Sequence, residues 1–138
     1  MQAYKLALFL GDIAWTDVTK LVGDRRTQSI SDQLCRAVGS ISANLAEGYS
    51  RGTGRDRAHF YEYALGSARE SRDWYWKARF ILGDEVVQHR IGILTEVIRY
   101  LLMVIPEQRK KKIQESNANY ALATPECPSL DPESSIPR

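Results

Sequence analysis

The sequence predicts an all-α fold, an antiparallel up-down-up-down four-helix bundle over residues 1–114 followed by a disordered acidic tail over residues 115–138. Apolar residues recur at steps of three or four in four separate segments, which is the period of an amphipathic helix. Short breaks rich in glycine and capping residues separate the segments, and helices joined by short links pack as antiparallel neighbours. No stretch alternates apolar and polar residues for long enough to predict a strand.

The first two helices are defined by apolar faces and by the residues at their ends. We expect the first helix over about residues 2–21, where Leu10 marks one face and Asp17 shares it. The second is expected to begin near Thr27 or Ser29, and Ser29 is followed three positions later by an acid, as in a capping box. It is expected to end at Gly48, because glycine readily adopts the left-handed conformation of a helix cap.

The third helix is predicted to be the longest. Thr53 and the acid three residues later form a second capping box, and the helix is expected to continue to about Leu82. Asp84 is predicted to cap the fourth helix, and Pro106 is predicted to end or kink it. The predicted core face of the third helix consists of Phe60, Ala64, Ser67, Ser71, Trp74 and Ala78.

Composition is typical of a soluble globular domain, with 43% hydrophobic and 26% charged residues in a chain of 138. Residues 1–114 carry 18 basic and 13 acidic side chains, a net charge of +5, whereas residues 115–138 carry 1 and 4, a net charge of −3. The two cysteines, Cys35 and Cys127, lie far apart, which argues against a disulfide framework and favours a cytoplasmic protein. We find no signal peptide and no membrane span.

A catalytic or metal site is not predicted. The two histidines, His59 and His89, fall in no metal-binding spacing, and there is no Cys-x-x-Cys pair. The segment 52–54 lacks the preceding strand and the lysine of a phosphate-binding loop, so it predicts a turn. A small helical ribonuclease is the enzymatic alternative, but Arg55 lies too close before His59 to match the spacing of such nucleases. The sequence therefore predicts a non-enzymatic protein with no cofactor, no metal and no small-molecule substrate.

The side of the third helix opposite its predicted core face combines large aromatic residues with arginine and contains no acid. This composition is enriched in protein–protein interfaces, and it also stacks bases and neutralises phosphates. A solvated surface with flat-lying side chains is the third interpretation. We favour a subunit interface, because a monomer rarely exposes such large side chains together. The predicted interface residues are Tyr61, Leu65 and Trp76. The arginines on the same side of the helix are Arg69, Arg72 and Arg79.

A basic run, Arg109–Lys112, follows Pro106. Cations at the C-terminal end of a helix complement its dipole, so a structural role would explain the run. Contact with the phosphates of a nucleic acid is the alternative.

Two motifs resemble those of a known family. Residues 40–52 read Ser-Ile-Ser-Ala-Asn-Leu-Ala-Glu-Gly-Tyr-Ser-Arg-Gly, and residues 60–70 read Phe-Tyr-Glu-Tyr-Ala-Leu-Gly-Ser-Ala-Arg-Glu. Over residues 3–105 the chain resembles the four-helix-bundle family of proteins encoded in intervening sequences of bacterial large-subunit ribosomal RNA genes. The same family includes the accessory variability determinant of diversity-generating retroelements. Ser42 is a departure, because the family usually has proline there.

The resemblance implies an up-and-down bundle that assembles into a homopentameric ring and has no catalytic residues. In the retroelement branch it implies binding to RNA, DNA or an RNA–DNA hybrid, in partnership with a reverse transcriptase. Together with the arginines on the outer side of the third helix and the basic run, it makes the following residues candidates for nucleic-acid binding: Arg51, Arg55, Arg69, Arg72, Arg79, Lys110, Lys111 and Lys112.

Three functions are therefore carried forward. The leading hypothesis is an oligomeric nucleic-acid-binding accessory protein, and the alternative is a protein-binding oligomeric scaffold whose arginines serve the subunit interface. The ribonuclease is the third and least favoured.

Overall fold

A computed structural model describes residues 1–111, and within them every long element is a helix and no strand is present. A short 3-10 turn, Arg25–Thr27, connects the first two helices. This architecture confirms the predicted all-α bundle. Lys112 and the predicted acidic tail lie outside the described residues. The helices are α1 Gln2–Val22, α2 Gln28–Tyr49, α3 Gly54–Lys77, α4 Arg79–Leu82 and α5 Asp84–Lys110.

The four long helices form a ring in the order α1, α2, α3, α5, with α5 closing against α1. Because consecutive long helices run in opposite directions, the bundle has two ends. We call the "lower end" the one that holds the start of α1, the loop between α2 and α3, and the last turn of α5. The "upper end" holds the 3-10 turn, α4 and the start of α5.

The core consists mainly of leucine, isoleucine and valine from α1, α2 and α5, with small residues and two tyrosines from α3. Ala64 and Ala68 are fully buried and keep α3 close to its neighbours, while Tyr61 and Tyr75 fill the remaining volume. Removing this apolar surface from water is the main source of stability, at about 25 cal/mol per Å².

The buried face of α3 is rotated by about one residue from the predicted face. Ala64, Ser71 and Ala78 are buried as predicted, but Phe60 and Trp74 are only partly buried. The prediction placed Phe60 and Trp74 in the core, whereas the core side of α3 holds two tyrosines and the alanines that permit close helix packing. The buried residues of α3 are Gly54, Ala58, Tyr61, Ala64, Leu65, Ala68, Ser71 and Tyr75.

The helix ends partly confirm the predicted caps. Thr53 caps α3, since its hydroxyl oxygen accepts a hydrogen bond from the Asp56 amide at 3.1 Å. The predicted start of α2 near Thr27 is confirmed and the Ser29 cap is wrong, because α2 begins at Gln28. The residue before it, Thr27, is buried, and its hydroxyl donates to the Leu21 carbonyl at 2.6 Å.

The later breaks also differ from the prediction. The third helix stops at Lys77, and the separate turn α4 takes up the rest of the expected span. Gly83 has φ of 83°, a conformation that favours glycine, and Asp84 is the first residue of α5 rather than its cap. Pro106 lies inside α5 and does not end it. The carbonyl that loses its partner belongs to Leu102, and because both residues are exposed, water can bond to it.

Two glycines set the helix spacing near the lower end. Gly48 lies inside α2 and is not a left-handed cap. A methyl group added to Gly48 would lie 2.9 Å from Cβ of Phe60 and 2.8 Å from the Tyr61 ring. A methyl group on Gly54 would lie 2.1 Å from the carbonyl oxygen of Gln108. Both glycines therefore permit backbone approaches that any other residue would prevent.

Candidate nucleic-acid interface

The lower end brings together basic residues from three separate parts of the chain. Arg51 comes from the loop between α2 and α3, Arg55 from the first turn of α3, and Lys110 from the last turn of α5. The close contact at Gly54 aligns these elements, since a methyl group there would also lie 3.1 Å from Cβ of Lys111. We define the "basic end" as Arg51, Arg55, Arg57, Lys110 and Lys111.

Two members of the basic end also hold the elements together. Arg57 donates from Nε to Oε1 of Gln108 at 2.9 Å and from Nη1 to the Arg51 carbonyl at 3.0 Å. Arg51 forms an ion pair with Glu47, and its guanidinium lies 4.6 Å from the centre of the Phe60 ring. These two arginines are partly occupied by the fold, although Arg51 remains exposed.

The other members are available to a partner. Arg55, Lys110 and Lys111 are exposed, and none forms an ion pair with an acidic side chain within residues 1–111. The neighbouring Arg109 differs, because it pairs with Glu62 of α3. Three exposed cations that converge without acidic partners produce a local positive potential, which attracts phosphates.

Three aromatic rings lie on α3 beside the basic end. The Tyr63 hydroxyl and Nε2 of His59 form a 2.8 Å hydrogen bond, and their ring centres are 4.6 Å apart. Phe60 lies against both, with its ring centre 5.9 Å from that of Tyr63 and 6.1 Å from that of His59. We call His59, Phe60 and Tyr63 the "aromatic cluster".

The remaining predicted arginines lie elsewhere. Arg79 is at the upper end, where its guanidinium lies 4.1 Å from the centre of the Trp76 ring and 4.2 Å from that of Phe80. Arg69 is exposed and Arg72 half-buried in the middle of α3. At 1.5 Å per residue Arg79 is about 36 Å from Arg55 along the bundle. The predicted binding residues therefore divide into the basic end and a separate group farther up α3.

The predicted interface residues are not all exposed. Trp76 is 50% exposed, but Tyr61 is 1% and Leu65 8% exposed within a single copy of the chain. The prediction that Tyr61 and Leu65 lie on an outer face is therefore wrong. The cause is the rotation of α3, which directs Tyr61 against Gly48 of α2.

A buried polar network that the sequence analysis missed lies in the upper half of the bundle. Asp17 of α1 accepts two hydrogen bonds from Arg90 of α5, from Nε at 2.9 Å and from Nη2 at 3.1 Å. It accepts a third from the Tyr75 hydroxyl of α3 at 2.8 Å. Asp17 and Arg90 are 0% and 1% exposed, so this bidentate pair is compensated inside the core. The position of Asp17 on the apolar face of α1 was the available signal.

The network changes the acid–base properties of its neighbours. Burial, reinforced by the Asp17 carboxylate, raises the pKa of the Tyr75 phenol far above its usual value. Burial and the adjacent Arg90 guanidinium lower the pKa of His89. Nδ1 of His89 lies 2.6 Å from Nη1 of Arg90, and because a guanidinium can only donate, this His89 nitrogen accepts. The network joins three helices and is enclosed, so its role is structural.

The described helices contain neither a cluster of metal-binding side chains nor a helix that could span a membrane. Within residues 1–111 no group of three or more His, Cys, Asp and Glu side chains is arranged to hold a metal ion. In the same part of the chain, no helix combines the length and apolarity needed to cross a membrane.

The arrangement defines a helical bundle with one basic end, and comparison with known proteins agrees with this fold. A solved structure from Bacteroides thetaiotaomicron, described as a protein of unknown function from the S23 ribosomal protein family, superimposes with a TM-score of 0.70. It shares 21% identity, and the match covers 75% of this chain and 97% of that one. No curated protein matches the chain.

Residues 1–102 match the family described as 23S rRNA-intervening sequence protein. The chain therefore belongs to the 23S rRNA-intervening sequence protein family.

Proposed function

We propose that this protein is a non-enzymatic, cytoplasmic accessory protein that binds nucleic acid as an oligomer. The observation that carries the proposal is the convergence of Arg55, Lys110 and Lys111 at one end of the bundle without acidic partners in the described chain. Buried ion pairs need their partners, but exposed uncompensated cations are free to replace the counterions of a phosphate backbone. The next residue, Lys112, would add to this charge.

A ring of identical copies would present several basic ends to one nucleic-acid strand. One basic end offers only a few phosphate contacts, and several copies facing one strand would raise the affinity through effective concentration. Support for assembly comes from large exposed apolar side chains within a single copy, and we propose a homopentamer on the motif resemblance. The exposed apolar residues include Trp15, Trp76, Phe80, Leu102 and Met103.

The same motifs support a partner. Residues 40–52 resemble a motif of the retroelement accessory determinant, and on this resemblance we propose RNA, DNA or an RNA–DNA hybrid as the ligand and a reverse transcriptase as the protein partner. Gly48, inside that motif, has a structural role in the contact with α3.

Solution mass and binding test this proposal together. We expect light scattering to give about five times the 15.7 kDa chain mass, and fluorescence anisotropy to show binding of labelled RNA, DNA or hybrid oligonucleotides that weakens steeply with salt. The double variant Arg55→Glu, Lys110→Glu should lose binding and keep the mass. The double variant Arg25→Glu, Arg36→Glu is the matched control, because it makes the same charge change at two exposed positions away from the basic end. Binding unaffected by the first double variant would contradict the assignment to the basic end.

A protein-binding scaffold is the second candidate, and the environment of Arg79 favours it. The Arg79 guanidinium lies between Trp76 and Phe80, which is a composition typical of interface hot spots. Changing Arg72 and Arg79 to glutamate separates the two functions. Loss of the oligomer would support the scaffold, whereas loss of nucleic-acid binding by an intact oligomer would assign these arginines to the ligand.

A further inference from the structure

We propose that the aromatic cluster gives the protein a preference for single-stranded over double-stranded nucleic acid, through stacking of unpaired bases on Tyr63. This inference rests on the proposed function and specifies its ligand class. Phosphate contacts at the basic end give no preference for a single strand, because both forms present phosphates and a duplex carries the denser backbone charge. Aromatic rings beside the phosphate contacts do give that preference, because only an unpaired base has an open face.

The placement of the cluster fits a single strand. Arg55, His59 and Tyr63 are spaced at i, i+4 and i+8, so they follow one another along the same outer face of α3. The axial distance from Arg55 to Tyr63 is about 12 Å, which a short oligonucleotide can span while its backbone remains at the basic end. Tyr63 is 50% exposed, so a large part of its surface can receive a base.

The cluster is also pre-organised. The hydrogen bond between the Tyr63 hydroxyl and His59 fixes the ring, and the edge contact with Phe60 supports it from the side. Arg51 lies over the Phe60 ring, so a cation is present next to the stacking surface. Little side-chain entropy would then be lost when a base stacks on Tyr63.

The aromatic residues of the upper end fit a base less well. There the Arg79 guanidinium already lies over one face of the Trp76 ring and one face of the Phe80 ring, and Lys77 lies 4.7 Å from the centre of the Trp74 ring. Within residues 1–111 no cation lies over the Tyr63 ring. Among these surfaces, the aromatic cluster is the one next to the basic end.

The test uses fluorescence anisotropy with the full chain and a labelled 12-nucleotide RNA of mixed sequence, either free or annealed to its complement. We expect tighter binding of the free strand. Tyr63→Ala should weaken binding of the free strand at least about five-fold, the lower limit for one lost base stack, and that of the duplex less than about two-fold. Tyr63→Phe keeps the ring but loses the hydrogen bond to His59, so it should weaken binding of the free strand by less than Tyr63→Ala does and leave binding of the duplex unchanged. Phe80→Ala, a matched change at the upper end, should leave the ratio of the two affinities unchanged, because any effect on assembly acts equally on both probes.

Tyr63→Leu, which keeps an apolar side chain without the ring, serves as a second variant and should behave like Tyr63→Ala. Equal binding of both probes by the wild type would overturn the inference, as would equal loss for both probes in Tyr63→Ala. In those cases the proposed function would survive, because the protein would still bind nucleic acid. Failure of the wild type to bind either probe would overturn the proposed function as well.

Discussion

The two ends of the bundle are built on different physical principles. In the upper half, a buried ion pair between Asp17 and Arg90 joins α1 to α5, and the surface presents Trp76 and Phe80 around a single arginine. In the lower half, Gly48 lets α2 approach α3 closely, Gly54 does the same for α3 and α5, and the surface is basic. Both halves share the apolar core, to which the upper half adds a compensated buried charge pair and the lower half adds close backbone packing.

This difference shows that residue type does not determine role. Arg90 is a core residue, Arg79 is covered by aromatic rings, and Arg55 is exposed without an acidic partner in the described chain. The burial and partners of each guanidinium separate them. Only the exposed class can neutralise phosphate without disturbing the fold.

Removing the buried ion pair of the upper half should have the largest effect on stability. Arg90→Leu leaves the Asp17 carboxylate buried without its cation and should reduce the free energy of unfolding by about 3–5 kcal/mol. Urea denaturation measures the change. The control is Arg99→Leu, which removes an exposed ion pair with Glu96 and should cost less than about 1 kcal/mol. Equal losses in the two variants would show that the buried pair is not a stabilising element.

A single methyl group added in the lower half should destabilise the protein. Gly48→Ala places Cβ against Phe60 and Tyr61 and should reduce the free energy of unfolding by about 1–3 kcal/mol. Gly66→Ala is the matched control within the bundle, because open space surrounds that position. It should stabilise the protein by about 0.5–1 kcal/mol through higher helix propensity. A neutral or stabilising Gly48→Ala would contradict tight packing at this contact.

The surfaces of the two ends should differ in their response to salt. Arg55→Ala removes one exposed cation from the basic end of each copy and should decrease the magnitude of the slope of log affinity against log salt by about 0.7–0.9 for every copy that contacts the strand. Arg79→Ala should leave that slope unchanged, since its guanidinium is covered by Trp76 and Phe80. Titrations of a labelled oligonucleotide at several salt concentrations measure both slopes. The reverse pattern would move the ligand to the upper end.

The stability of the upper half should depend on pH through His89, and this effect should be the smallest of the four predicted here. His89 has a lowered pKa in the folded protein, so below the unfolded value of 6.5 the unfolded chain binds more protons. The stability contributed by neutral His89 is therefore complete above pH 6.5 and is lost as the pH falls through the folded pKa. Thermal unfolding at pH 7.5 and 5.5 should show a smaller decrease for His89→Gln than for the wild type. The partial exposure of His89 keeps the effect small.

Several features of the site were predictable from local sequence. The basic run near Lys110 and the loop arginine Arg51 were identified as binding candidates from the sequence and its motifs, and Thr53 was predicted as a cap and confirmed as one. The orientation of α3 was not predictable, because aromatic residues occur on both its buried and its exposed sides, so its amphipathic pattern does not mark one face. As a result Tyr61 and Leu65 were assigned to the wrong face.

The amino-acid pattern was sufficient to establish four amphipathic segments, their approximate limits and the all-α class, since helical period and turn residues act over a few positions. The tertiary structure decided which residues meet. Asp17 and Arg90 are 73 positions apart, and Arg57 and Gln108 are 51 apart. Such pairings depend on how whole helices pack, and helix packing is set by the size and shape of every side chain at the contact, including the missing side chains of Gly48 and Gly54.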